Sequence, residues 1–419
     1  MKWLKSLLLG CCLLVLPGCI ALYQKKIDYD IDPLYSVHDP QFLRSMGQLL
    51  GPQFLPGNRT IGLINGDEIF PSMLEAIRGA QKTINFETYI YWSGTIGEEF
   101  SEALAERARA GVKVNLLVDW FGSGRMGAPY LRELTRAGVQ LKSYRPLYWY
   151  NLSRINRRTH RKLLIVDGKI GFTGGVGIAD IWRGNAEDNQ HWRDSHFRLE
   201  GPSVAQMQAA FLDNWLKTQP EVLHGEEYFP LLEPKGDDLA QVFMSSPREG
   251  AETIRLMYFL SIAAARENIR LSAAYFVPDE RTRKQLIAAR ERGVEVEIIL
   301  PGSETDSRLV RYASRGGWGD LLKTGVKIYE YEPTMYHCKV MIVDDVWVSV
   351  GSANFDSRSF RLNDEANLNV YSRSFATDQI AIFEDDKSKS NLVSFDEWKR
   401  RSYWKQIKES FSNLFRSQL

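Results

Sequence analysis

Cysteine is scarce in this chain, and its placement matters more than its number. Of 4 cysteines in 419 residues, all but Cys338 precede residue 20. The body therefore has one thiol, which excludes an intramolecular disulfide and any cysteine cluster that would hold a metal. Charge of one sign is lacking too: the formal net charge is +1, so no global basicity advertises nucleic acid. Long hydrophobic runs are missing as well. The most apolar stretch, Leu7 to Leu16, is shorter than the roughly 20 residues a membrane-spanning helix needs. A hydrophobic content of 44% with 25% charged residues is that of an ordinary globular body, with length for two or three domains.

What is present is a pair of matching stretches. One runs Thr159-His160-Arg161-Lys162 and on to Asp167; the other runs Tyr336-His337-Cys338-Lys339 and on to Asp344. Both read His-x-Lys-x-x-x-x-Asp and continue into turns rich in glycine, Gly174-Gly175-Val176-Gly177 and Gly351-Ser352-Ala353-Asn354. In a strand, side chains repeat on one face every second position, so His and Lys of each motif point the same way. Two histidines meeting across an interface can share a substitution at a phosphodiester, one attacking phosphorus while the other protonates the leaving oxygen. Imidazole suits both tasks near neutral pH. The two lysines supply the positive charge that other phosphoryl-transfer enzymes draw from a metal. A buried lysine without an acidic partner would be costly in a purely structural role.

The surrounding chain is duplicated. A strand at Thr83–Tyr91, a helix closed by Gly111, a strand at Val112–Asp119, a second helix closed by Gly138 and the first motif strand form one unit. Ile269–Phe276, a helix to Arg292, Gly293, Val294–Leu300, a helix to Thr324, Gly325 and the second motif strand repeat it. Alternating β-rich and helical periodicities predict two α/β halves, each a mixed sheet flanked by helices. They form two globular copies and not a short-period solenoid. Each half contributes one His and one Lys to a single shared site.

These motifs carry a resemblance. From about Asn65 to the C-terminus the chain resembles the phospholipase D superfamily, and within it the bacterial cardiolipin synthases. Besides the paired motifs, the likeness rests on His191-Trp192-Arg193-Asp194 leading to Leu199-Glu200-Gly201-Pro202, and on Pro301-Gly302-Ser303 with Asp306. Gly351 to Phe360, Leu362-Asn363-Asp364-Glu365 and the basic, aromatic tail also match. The resemblance implies a duplicated phospholipase D-type fold and a phosphohistidine intermediate. It assigns the catalytic motif to His160, Lys162, Asp167, His337, Lys339 and Asp344, with His160 as nucleophile and His337 as acid. Asp167 and Asp344 are read within that set as bracing the loop after each strand. Asp194 and Glu365 are expected to orient the histidine of their own half. Ser352 and Asn354 are expected to donate hydrogen bonds to phosphate oxygens. One departure is Gly177, which stands where an asparagine matching Asn354 is usual. No cofactor or metal is expected.

The N-terminus is of another kind. Lys2 and Lys5, the apolar stretch and Leu16-Pro17-Gly18-Cys19 resemble a bacterial lipoprotein signal, with Cys19 lipidated. This implies a body outside the cytoplasm, tethered to a membrane of the cell envelope; Ile20 leans the expectation toward the outer membrane. The chain then divides into a signal (1–19), a spacer (20–60), a first half (61–227), a linker (228–250), a second half (251–385) and a basic amphipathic tail (386–419). In the tail, Trp398, Trp404, Ile407, Phe411, Leu414 and Phe415 fall on one helical stripe flanked by Lys399, Arg400, Arg401, Lys405, Lys408 and Arg416. Such a helix lies on an anionic membrane or packs its stripe on the body. The basic run Arg154, Arg157, Arg158 and Arg161 either gathers anionic headgroups or is a solvated charged face. Tyr144, Tyr148, Trp149 and Tyr150 beside it suggest an interfacial rim, although arginine interleaved with aromatics suits nucleic acid equally.

The expected activity is therefore a phosphatidyl transferase joining two phosphatidylglycerols into cardiolipin, with phospholipid substrates and a membrane surface as partners and no nucleic acid. The alternatives are hydrolysis of the same intermediate to phosphatidic acid, an exported nuclease, and a lipid-binding scaffold with a decayed site.

Overall fold

The computed structural model describes residues 31–148, 156–246 and 252–419. The signal with Cys19, together with Trp149, Tyr150 and Arg154, lies outside the described residues. The strands of the first half are β1 (Leu55–Ile64), β2 (Thr83–Thr88), β3 (Lys113–Asp119), β4 (Gln140–Tyr144), β5 (Leu163–Val166), β6 (Ile170–Gly174) and β7 (Ser195–Glu200). Those of the second are β8 (Asp238–Ser245), β9 (Asn268–Ala273), β10 (Glu295–Pro301), β11 (Lys327–Tyr331), β12 (Lys339–Val343), β13 (Trp347–Gly351) and β14 (Glu365–Tyr371), with β15 (Ser390–Val393) beyond them.

The first half is ordered β1-β7-β6-β5-β2-β3-β4, and the second repeats it as β8-β14-β13-β12-β9-β10-β11, with β15 on the outer edge. Each is a mixed sheet, as expected: β2, β3 and β4 run parallel, as do β9, β10 and β11, and each motif strand is antiparallel to its neighbours. The halves are not separate sheets, however. An irregular antiparallel pairing of β1 with β8 makes them one sheet of 15 strands.

Alternation along the strands decides what each face meets. Leu163 and Ile165 of β5, with Phe197 and Leu199 of β7, pack on Val340 and Ile342 of β12 and on Leu368 and Val370 of β14. That apolar layer is shared by the two halves and clamps the motif strands together. Leu164 and Val166 face the other way, into a core built with Phe100 and Leu104. Met341 and Val343 do the same in the second half, against Phe355 and Trp347.

The helices are α1 (Pro40–Leu50), α2 (Asn65–Gly79), α3 (Thr95–Arg109), α4 (Ala128–Ala137), α5 (Val204–Trp215), which packs Met207 and Phe211 into the shared layer, α6 (Thr253–Ala264) and α7 (Glu280–Glu291). Six more follow: α8 (Arg308–Arg315), α9 (Gly319–Lys323), α10 (Ser357–Arg361), α11 (Arg373–Ser388), α12 (Phe395–Lys399) and α13 (Tyr403–Asn413). The glycines closing four of them, Gly111, Gly138, Gly293 and Gly325, have φ of 93°, 94°, 93° and 89°, the left-handed turn that a side chain disfavours.

Three boundaries differ from expectation. The described part of the spacer is folded: Asp39 caps α1, whose Phe42 meets Trp347 edge-on at 5.0 Å, and β1 begins at Leu55. The linker contains β8, which holds the centre of the sheet. The tail is divided: β15 extends the sheet and Trp398 packs on the second core, while the stripe of α13 stays outside.

Candidate active site

The two motifs meet because each is stitched to the other half just before its histidine. Thr159 forms a bridge with Asp364, and His160 N–H donates to Asp364 O at 2.8 Å. In the mirror arrangement Tyr336 bridges Arg193, and His337 N–H donates to Arg193 O at 2.7 Å. His160 and Lys162 lie in extended chain just ahead of β5; Lys339 opens β12.

This exchange overturns the expected pairing of carboxylates. His160 Nδ1 lies 3.1 and 3.0 Å from the two oxygens of Glu365, and His337 Nδ1 lies 2.6 Å from Asp194 Oδ2. Each histidine is oriented by the opposite half. The physical reason is the pair of bridges, which set Asp364-Glu365 beside the first motif and Arg193-Asp194 beside the second. Both carboxyls are buried, which on its own would raise them, but the facing imidazole and lysines hold each below its ordinary value. They therefore accept, the histidines donate from Nδ1, and Nε2 of each ring is turned to the reaction.

The carboxylates are themselves braced. Ser352 Oγ donates to Glu365 Oε2 at 2.5 Å, Ser359 Oγ to Oε1 at 2.7 Å, and Asn363 Nδ2 to Oε1 at 3.4 Å. Asp194 accepts from Trp182 Nε1 at 3.0 Å and from Ser195 N–H at 2.8 Å, and its own N–H donates to Asn65 Oδ1 at 3.2 Å. Ser352 is thus occupied in holding Glu365 and accepts from Ala366 N–H at 3.0 Å, a correction to its expected phosphate role. Asn354 is buried with its Oδ1, an acceptor, unpartnered, so donation to phosphate falls to its Nδ2.

Gly177 cannot be a simple gap for the missing asparagine. A Cβ there would stand 2.8 Å from Ile90 Cβ and 3.1 Å from the Trp182 ring. Asp167 and Asp344 lie at the far ends of β5 and β12 from the histidines and touch neither. Asp167 accepts N–H groups of Gln81, Lys82 and Thr83; Asp344 accepts those of Arg266, Glu267 and Asn268. They brace the starts of β2 and β9.

Lys162 Nζ donates to His160 O at 2.8 Å, and Lys339 Nζ donates to His337 O at 2.6 Å while lying 3.2 Å from His337 Nε2. Burial pushes Lys162 down to about 7, opposed by Glu365 and helped by the neighbouring charge of Lys339. Lys339 is lowered for the same leading reason. Burial, then Lys339, takes His337 down to about 3, and burial lowers His160 against the pull of Glu365. Each histidine feels the lysine of the other half. The buried site thus holds two lysines and two imidazoles whose protonation an anionic ligand would favour.

Several residues of this arrangement were invisible in the sequence. Trp182 and Trp192 wall His337, with ring centroids at 5.6 and 5.3 Å, and Tyr89 faces His160 at 5.4 Å. The repeated Ser-Arg-Ser after Asp356 was a usable signal for Ser359. The basic run expected to gather headgroups is partly internal: Arg158 faces Asp119, and Arg161 is fully buried. Arg161 donates to Glu365 O, Ala210 O, Ser245 O and Asp213, joining α5 to the second half. Tyr144, expected at the rim, is buried against Asp364, whereas Tyr148 is 49% exposed. A cavity of about 600 Å³ is lined by Asn65 and Arg193, which flank Asp194, and by neither histidine.

Comparison with known proteins gives the family and the fold. A family model described as cardiolipin synthase, PLD-like domain matches residues 73–215 and again 259–387. Cardiolipin synthase of Geobacillus kaustophilus is 33% identical over 410 residues, covering 94% of this chain and 82% of that protein. Cardiolipin synthase 2 of Bacillus anthracis is 35% identical over 398 residues, with 94% and 77% covered. Among solved structures, phosphatidylserine synthase of Haemophilus influenzae superposes with a TM-score of 0.68 at 14% identity, covering 90% of this chain and 99% of that one. That likeness concerns the fold.

Proposed function

Because the chain belongs to the cardiolipin synthase, phospholipase D-like family, we infer that it is a phosphatidyl transferase that makes cardiolipin. Its substrates are phospholipids. The observation that carries the chemistry is the pair of crossed histidine–carboxylate contacts at Nδ1, with Lys339 3.2 Å from Nε2 of His337 and the charges of Lys162 and Lys339 acting on His160.

The finer steps are our reading. His160 Nε2 attacks the phosphorus of phosphatidylglycerol, the bond to glycerol breaks, and His337 gives that oxygen its proton. A hydroxyl of a second phosphatidylglycerol then yields its proton to His337 as its oxygen displaces His160. The lysines stabilise the equatorial oxygens in both steps. The negative charge of the phosphodiester draws Lys339 away from the imidazole and restores the proton affinity of His337. Phosphatidic acid forms only when water replaces the second hydroxyl, and the buried site disfavours that.

The membrane is the finer partner. No helix among the described residues is long and apolar enough to cross a bilayer. Support comes instead from α13, where Tyr403, Trp404, Phe411 and Leu414 are 74%, 71%, 58% and 75% exposed beside Lys405 and Lys408. We take this face as an interfacial contact that complements lipidation at Cys19 in the cell envelope. The test incubates the protein with phosphatidylglycerol vesicles, with and without a chelator, and resolves products by mass. Cardiolipin and free glycerol, undiminished by chelator, are expected. Phosphatidic acid alone, or loss of turnover with chelator, would sink the reading.

A further inference from the structure

The two walls of the site differ in a way that sorts the parts of a lipid substrate. Beyond β9 the chain keeps its ladder with β12: Ala274 N–H donates to Cys338 O at 3.0 Å, so Tyr275 falls opposite His337. Their ring centroids are 6.2 Å apart. The Tyr275 hydroxyl donates to the carboxylate of Asp306, which follows the end of the neighbouring parallel strand β10. Phe355 N–H donates to Tyr275 O at 3.1 Å, which brings in Asn354 with its unpartnered Oδ1.

The positions matching Tyr275 and Asn354 in the first half are apolar, with Tyr89 facing His160 beside them. Ile178 N–H donates to Ile90 O at 2.9 Å, so Ile90 stands where Tyr275 does, and Gly177 stands where Asn354 does. At the end of β3, Trp120 and Phe121 are 38% and 66% exposed. At these matched positions Tyr275 and Asn354 stand on the His337 side where Ile90 and Gly177 stand on the His160 side; around them Tyr89 and Asp119 keep the His160 side polar, and Trp182 and Trp192 wall His337.

We propose that Tyr275, Asp306 and Asn354 Oδ1 form a polyol subsite that holds the vicinal hydroxyls of a glycerol headgroup beside His337. A carboxylate and an amide oxygen accept from hydroxyls and repel phosphate oxygens, which fixes the direction of the ester. Burial and Asp306 raise the Tyr275 phenol well above its ordinary value, so it stays a donor. The proposal rests on the transfer reading and deepens it. With the polyol beside His337, the oxygen that leaves or attacks exchanges its proton there, while the phosphorus–nitrogen bond forms or breaks at His160. One subsite serves both steps, because the leaving glycerol and the incoming hydroxyl are chemically alike.

The test is acceptor competition. The full chain is given phosphatidylglycerol in mixed micelles with equal labelled glycerol and 1-propanol, and headgroup exchange, phosphatidylpropanol and cardiolipin are counted. Free glycerol and a lipid-borne glycerol headgroup are thereby read separately. The parent should favour glycerol over propanol by about tenfold or more, since a site built for hydroxyls penalises an acceptor lacking them. Asp306→Ala and, independently, Tyr275→Phe should bring that ratio towards one and lower cardiolipin, glycerol transfer falling further than propanol transfer in each. An unchanged ratio, or parallel loss of propanol transfer in both variants, overturns the subsite. A ratio that rises for ethanolamine in place of glycerol also overturns it. A parent that transfers to no alcohol at all would instead bring down the function proposed above.

Discussion

The two halves share a backbone and disagree in chemistry. His160 sits in a polar cage: Glu365 grips it with both oxygens and is itself held by Ser352, Ser359 and Asn363. His337 has a single short contact to Asp194, between the rings of Trp182 and Trp192. The residue between His and Lys is Arg161 in one motif, a buried staple across the halves, and Cys338 in the other, a small buried thiol. Duplication supplied two equivalent frames, and divergence gave the two imidazoles different surroundings. That difference is what a two-step transfer requires, because one ring must form a bond to phosphorus while its twin only moves a proton.

The comparison is broken most severely by removing the proton carrier. His337→Asn should lower cardiolipin synthesis by roughly 10³–10⁴-fold, yet a phosphatidyl ester of p-nitrophenol, which leaves without a proton, should still release a burst of phenol. Equal loss with both donors would mean that the two histidines do not divide the work. Next come the crossed carboxylates. Glu365→Gln and Asp194→Asn should each cost on the order of 10²–10³-fold in kcat. The double variant His160→Asn with Glu365→Gln should be no slower than His160→Asn alone, since both lesions disable the same ring.

A subtler contrast concerns stability. Burial lowers Lys162 to about 7 from its ordinary value near 10.5. The unfolded chain therefore holds this proton up to about pH 10.5 while the folded one releases it above about 7, so the contribution of Lys162 to stability rises with pH across that window. Below it the charge is carried in both states at full cost to the fold. Lys162→Met should raise Tm at pH 6.5 by a few degrees, equivalent to about 1 kcal/mol or more, while abolishing turnover. Calorimetry in parallel with an activity assay checks both halves of the statement. The same logic makes binding of inorganic phosphate weaken above about pH 7 and draw protons from buffer, which titration in buffers of different ionisation enthalpy would register. The smallest effect is expected at the surface. Trp404→Glu with Phe411→Glu should reduce sedimentation with anionic vesicles by about threefold or more and leave activity in mixed micelles within about twofold, because these exposed rings beside lysines seat the helix at the interface.

Much of this was legible in the chain, for identifiable reasons. The His-x-Lys pairs, the strands of the parallel sheets and the glycines that end their helices are local signals, written in periodicity and turn chemistry. The crossing of Glu365 and Asp194 was not, because equal spacing in two copies leaves open which copy a carboxylate serves; bridges between Thr159 and Asp364 and between Arg193 and Tyr336 decide it. β1 was hidden by Pro56 and Gly57, which read as a turn but form the bulged start of a strand. α1 had a signal, Asp39 capping a helix that begins at Pro40, obscured by the prolines around it. Ser352 looked free for phosphate only because the depth of Glu365 behind it is a property of packing.

The central claim is that one ester is worked by imidazoles from both copies, with the bond to phosphorus made at His160. Rapid quenching of the protein during turnover of phosphatidylglycerol, followed by digestion at a pH that preserves phosphoramidates and peptide mass spectrometry, tests it directly. The account predicts a phosphatidyl group on the peptide containing His160, accumulating further in His337→Asn when the p-nitrophenyl donor is used. A label on His337, or cardiolipin formed without any label, would contradict it.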